Sequence, residues 1–119
     1  VGIGPFIPHH DTPFAAEPAG TLELTLFMLG LLRLLLPRVL LPATTALGTI
    51  SPDGREQGVL AGANVVMPNL SPTSVRAKYL LYDNKIAVAA EGRELLERQM
   101  TAIGYRVVTA RGDSRMTDI

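Results

Sequence analysis

Three clusters in this sequence have the residue types that chemistry needs. The first is His9-His10-Asp11, in the opening stretch VGIGPFIPHHDTP. Two imidazoles and a carboxylate are ordinary donors for a divalent metal. Adjacent side chains of an extended segment point to opposite sides, so His9 and His10 are not expected to share one ion. No further His and no Cys exist to complete a site. The expectation is a surface turn without metal, in which Asp11 bonds the backbone of Thr12 or beyond. The second cluster is Thr44-Thr45. Two hydroxyls and their amides at a strand end could receive a carboxylate or other small anion, although β-propensity alone explains two threonines as well. The third is Met67-Pro68-Asn69. A methionine there serves a core as readily as a ligand, and Asn69 suits a turn.

Other motifs carry less. Gly2-x-Gly4 begins like a dinucleotide fingerprint, but the third glycine position is Ile7 and no helix starts there, so that reading is rejected. The glycines instead permit close backbone approach to a strand or a flat ligand. Arg111-Gly112-Asp113 matches an adhesion tripeptide, which three residues do by chance. No Ser/His/Asp triad, P-loop or zinc signature is present.

Composition narrows the classes. The 119 residues are 47% hydrophobic, enough for one domain with a real core. The 11 basic and 11 acidic residues cancel, with no basic stripe for nucleic acid. Aromatics at 5% argue against a base-stacking surface. The absence of cysteine excludes disulfides, thiolate catalysis and thiolate-bound metal within the chain. The apolar run LELTLFMLGLLRLLL is too short for a membrane span, carries Glu23 and Arg33, and stops at Pro37. It is expected to be a heavily buried helix with Arg33 pointing outward, in a cytoplasmic protein.

The elements that would position the three clusters alternate. Val1 to Ile7 is read as a strand. Thr21 caps a helix over about 22–36, which Pro37 ends. Leu40 to Leu47 is the next strand. Ser51-Pro52-Asp53-Gly54 starts a helix over roughly 52–61, with Ser as cap, Pro at the first position and Asp facing the positive end. Gly62 stops it. Asn64 to Met67 is a third strand, and Ser71-Pro72 starts a helix through about Leu81. EGRELLERQMTAI, residues 91–103, puts Leu95, Leu96, Met100 and Ile103 on one helix face. Ala110 to Ile119 is polar and expected to fray. Strand-helix alternation with continuously apolar strands predicts an α/β fold with a parallel sheet. Functional groups in such folds follow the carboxyl ends of the strands. Those segments are Pro5–Pro13, Thr44–Thr49 and Met67–Asn69.

The same segments carry a resemblance. GIGPFIPHHDTP, PATTALGT and GANVVMPNLSP, in this order and spacing, closely resemble the last three strand-end segments of the HydE family of radical S-adenosylmethionine maturases of FeFe-hydrogenase, which is related to biotin synthase. The similarity runs from Val1 to about Lys85, and the RGDSRM tail also looks like the family. It implies that the whole chain, 1–119, is the C-terminal portion of a TIM-type (β/α)8 barrel. Residues 1–85 would be the last three βα units, strands six to eight, and 86–119 the C-terminal helix and polar tail. The family uses a 4Fe–4S cluster, held by a C-x3-C-x2-C loop, to cleave S-adenosylmethionine to a 5′-deoxyadenosyl radical. That radical acts on a small iron–cysteine precursor during assembly of the hydrogenase H-cluster, alongside the other hydrogenase maturases.

By the resemblance, Pro5, Phe6 and Ile7 meet the adenosine side of S-adenosylmethionine. Thr44 and Thr45 line the cavity for an anion or substrate carboxylate, and Met67 lies beside the substrate. No residue of this chain would be catalytic or bind metal, because the cluster cysteines are absent. The chain alone is expected to be inactive and to self-associate. The family typically has His-Pro-Asp where this chain has His9-His10-Asp11, which loosens the turn because Pro fixes φ and His does not. Two rivals are another biotin synthase-like enzyme, such as a methylornithine synthase relative, and a non-catalytic α/β module that binds a small anion.

Overall fold

The structure, a computed structural model, describes residues 1–68, 70 and 92–114. Helix α1 spans Leu22–Leu35 and begins as its sequence dictates. The Thr21 hydroxyl accepts from Leu24 N–H at 3.2 Å, which satisfies one orphan amide of the first turn. Pro37 cannot continue the helix, and Leu36 caps it. Thr25 and Leu29 are its buried residues, so α1 is less buried than its composition suggests. Leu24, Phe27, Leu31, Leu34 and Leu35 all remain exposed.

Arg33 does not point outward. Its Nε donates to Gly62 O at 2.8 Å, and one terminal nitrogen reaches Pro37 O and Val39 O, each at 2.9 Å. A forked guanidinium can collect several carbonyls at once. Here it collects those left over where α3 ends at Gly62 and where the chain turns from α1 toward the sheet.

Among the described residues, two short parallel strands form the sheet: β1 (Pro42–Ala43) and β2 (Val65–Val66), with Pro42 opposite Val65 and Ala43 opposite Val66. Asn64 sets this register. Its backbone N–H donates to Leu41 O, and its side-chain carbonyl accepts from Leu41 N–H, both at 2.8 Å.

The expected strand over 40–47 is cut short. Thr45–Ile50 is a helix, α2, so only Pro42–Ala43 pairs. Pro42 has no N–H for a ladder, and Leu47 is better buried on a helix against α3. Helix α3 (Gly54–Ala61) starts two residues later than expected, because Ser51 O accepts from Gly54 N–H at 3.0 Å and closes a turn first. Gly62 ends α3 with φ 139°, a conformation open chiefly to glycine.

Val1 to Ile7 forms no strand and pairs with no strand among the described residues. Pro5 and Pro8 lack the amides that a ladder needs. The Val1 nitrogen donates to Leu40 O at 2.9 Å, and Ile3 packs on the core, so the segment lies beside β1 without joining the sheet. Helix α4 (Arg93–Ala102) sends Leu96 and Met100 into the core, with Ile103 against it. That core is one cluster centred on the fully buried Leu29, Leu41 and Leu47. The helix expected over 71–81, Asn69 and residues 115–119 lie outside the described residues. Among the described residues, no helix is long and apolar enough to cross a membrane.

Candidate functional site

Because β1 and β2 run parallel, their carboxyl ends meet at one edge. Thr44 follows Ala43 and Met67 follows Val66, so each lies one residue beyond the last paired position. The opening segment closes this edge. A Cβ built on Gly4 would lie 2.8 Å from Thr44 Oγ1, so only glycine lets the backbone rest on that hydroxyl. The close approach expected of the opening glycines is thus made by Gly4, whereas Gly2 has nothing within 4 Å.

Thr44 is the residue before α2 and makes no side-chain cap bond. Its Oγ1 is buried and has no hydrogen-bond partner. A buried hydroxyl without a partner forgoes a bond that nearly every such group makes. Thr45 sits in the first turn of α2, not on a strand. The two threonines therefore form a strand-to-helix corner rather than a pair along one strand. Thr49 Oγ1 donates to Thr45 O at 3.1 Å, holding the turn behind them. Met67 is 52% exposed at the same edge.

Pro5 is buried, Phe6 is 45% exposed and Ile7 is half-buried. Their backbone is braced by Gly20. Gly20 N–H donates to Phe6 O at 2.8 Å, and a Cβ on Gly20 would fall 2.9 Å from Phe6 N. The sequence reading missed Gly20 and Asn64, because each acts through backbone far away in sequence. The structure thus gathers Gly4, Thr44 and Met67 at one sheet end and leaves an aromatic face open on the adjoining segment.

The His9-His10-Asp11 turn differs from its expected form. The two imidazoles do not diverge: their centroids are 4.5 Å apart and their planes 19° off parallel. Asp11 N–H donates to His9 Nδ1 at 3.0 Å, and the Asp11 carboxylate lies 3.2 Å from His10 Nε2. The backbone closes between His9 O and Thr12, whose Oγ1 donates to it at 2.7 Å. A turn, unlike a strand, can bring neighbouring side chains to one side.

Asp53 is held charged. Its carboxylate accepts from Ser51 Oγ and from Gln57 Nε2, each at 2.8 Å. These bonds, Ser51 first, lower its pKa below the ordinary value. Ser51 therefore supports Asp53 instead of capping α3 itself.

No protein-family model matches the chain. Among curated proteins, it is 58% identical over 88 residues to the [FeFe] hydrogenase maturase subunit HydE of Thermotoga maritima. The matched region is 74% of this chain and 25% of the relative, so the chain spans about a quarter of that protein's length. The resemblance carried by the strand-end segments is borne out: over these residues the chain is a HydE-like sequence, similar to one part of an [FeFe] hydrogenase maturase subunit.

Proposed function

We propose that this chain supplies the last three βα units and C-terminal helix of a radical S-adenosylmethionine barrel of the HydE type. The observation that carries the site is the Thr44 hydroxyl, buried without a partner at the carboxyl end of a parallel strand. Ligands of α/β enzymes bind at such ends. The 58% identity to HydE supports the family side of the reading.

In this reading Pro5, Phe6 and Ile7 form an apolar edge for the adenosine of S-adenosylmethionine. The exposed Phe6 ring fits that role, since a flat base gains from an aromatic or apolar neighbour. Thr44 and Thr45 receive a substrate carboxylate or small anion, where a hydroxyl donating to an ionised acceptor makes a charge-assisted bond. Met67 packs beside the substrate. When bound in the parent protein, S-adenosylmethionine and the 4Fe–4S cluster supply reductive cleavage to a 5′-deoxyadenosyl radical. The chain contains no cysteine, so the cluster is not held by these residues. What these residues do is bind, orient and exclude water around chemistry the cofactor performs. The substrate is a small iron–cysteine precursor, the partners are the other hydrogenase maturases, and the chain alone is inactive.

The test uses a full-length maturase carrying these segments, with Thr44→Val and Thr45→Val. Valine keeps the shape at Thr44, and that hydroxyl makes no bond within the chain. The double variant is expected to cleave S-adenosylmethionine while losing hydrogenase maturation. Unchanged maturation would sink the assigned role.

A further inference from the structure

We propose that His9, His10 and Asp11 form a surface site for a borderline divalent transition ion such as Zn2+. The proposal is independent of the hydrogenase reading and rests on the shape of the turn. One ligand atom from each of the three residues lies within 4.8 Å of the other two. A tetrahedral ion with bonds of about 2.0–2.1 Å separates its donors by roughly 3.3 Å. His10 Nε2 and Asp11 Oδ2 stand 3.2 Å apart, which already matches one edge of that tetrahedron. An ion can therefore bridge the two groups along that edge.

His9 completes the site from the neighbouring face. Its ring lies nearly parallel to that of His10, with centroids 4.5 Å apart. Its Nδ1 lone pair now accepts from Asp11 N–H at 3.0 Å. The His9 ring rotates about its side-chain bonds to offer the ion a nitrogen, and the amide it releases is exposed to water. The turn holding the three residues is closed by Thr12, through N–H at 3.1 Å and Oγ1 at 2.7 Å, both to His9 O. Binding therefore adjusts side chains and leaves the backbone in place.

Donor chemistry sets the class of ion. Two imidazoles and one carboxylate suit Zn2+, Ni2+ or Cu2+, whereas Ca2+ and Mg2+ call for oxygen ligands. Water fills the remaining position, because His10 and Asp11 are 69% and 77% exposed at their side chains. The site depends on His10: a residue without a donor there leaves one imidazole and one carboxylate.

The test is titration of the chain with Zn2+ against a chromophoric chelator, and with Co2+ followed by its visible spectrum. One equivalent should bind, and Co2+ should show imidazole-bound ligand-field bands. Substitution even of outer-shell partners costs about 10–100-fold in affinity, so His9→Ala and His10→Ala should each weaken binding by at least about tenfold. Asp11→Asn should weaken it in the same direction. His10→Ala leaves both Thr12 bonds to His9 O intact, so its loss cannot be ascribed to an opened turn. Absence of a one-equivalent site, or Zn2+ affinity unchanged in His10→Ala, overturns the proposal. Affinity unchanged in Asp11→Asn overturns the three-ligand set.

Discussion

At the scale of single residues, Gly54 makes the sharpest demand. A Cβ there would overlap the Leu47 carbonyl across the α2–α3 corner. Gly54→Ala should destabilise the chain by about 1–3 kcal/mol, read as a shift in urea midpoint. Gly2→Ala, with nothing within 4 Å, should leave the midpoint unchanged. Equal midpoints for the two variants would show that the corner yields easily. Asp53 makes a second prediction. Its folded pKa is lowered, first by Ser51 and then by Gln57, so the stabilisation is present above the ordinary carboxylate range. It is lost as pH falls through the folded value. Asp53→Asn should flatten the acid side of the stability–pH curve and leave its shape near neutrality alone. An acid limb identical to the unsubstituted chain would remove Asp53 from the account. Both residues were visible in the sequence as a helix start. The partner of Gly54 was not, because Leu47 becomes its neighbour only once the corner has formed.

At the scale of elements, α1 shows how a boundary and an orientation differ in legibility. Thr21, the apolar run and Pro37 determine where the helix lies, since caps and proline act within one turn. Where Arg33 goes depends on Gly62, 29 residues away. Arg33→Met should therefore loosen the join of α1 to the α3 end by about 2 kcal/mol, measured by chemical denaturation. Arg33→Lys should recover little of it, because an ammonium does not span a fork of carbonyls. Full recovery with lysine would mean that charge alone matters there. Thr44-Thr45 repeats the lesson. Two β-branched residues after an apolar run look like strand, yet Thr45 opens α2. The burial of Leu47 beside Gly58, whose own Cβ would lie 2.9 Å from Leu47, outweighs β-propensity, a weak and context-dependent preference.

For the whole molecule, α1 leaves an apolar face unburied among the described residues. Leu24, Phe27 and Leu34 are each more than 60% exposed on one helix, a patch that drives association in water. Sedimentation velocity of the isolated chain should show concentration-dependent association. Leu24→Gln/Leu31→Gln/Leu34→Gln should shift the boundary toward monomer, and an unaltered distribution would place the association elsewhere. The sequence by itself determined an α/β fold with a parallel sheet, both helix-stopping positions at Pro37 and Gly62, three of the four core-facing positions of α4 (Leu96, Met100 and Ile103) and the HydE-like strand-end segments. These follow from periodicity, caps and short motifs, all of which act over a few residues. Only the tertiary structure decided that Val1–Ile7 lies beside the sheet without joining it and that Gly4 covers the Thr44 hydroxyl. It also decided that Arg33 turns inward and that the two imidazoles at His9-His10 stack on one side. Each of these depends on which distant backbone groups are left without partners, and that is known only after the chain has closed on itself.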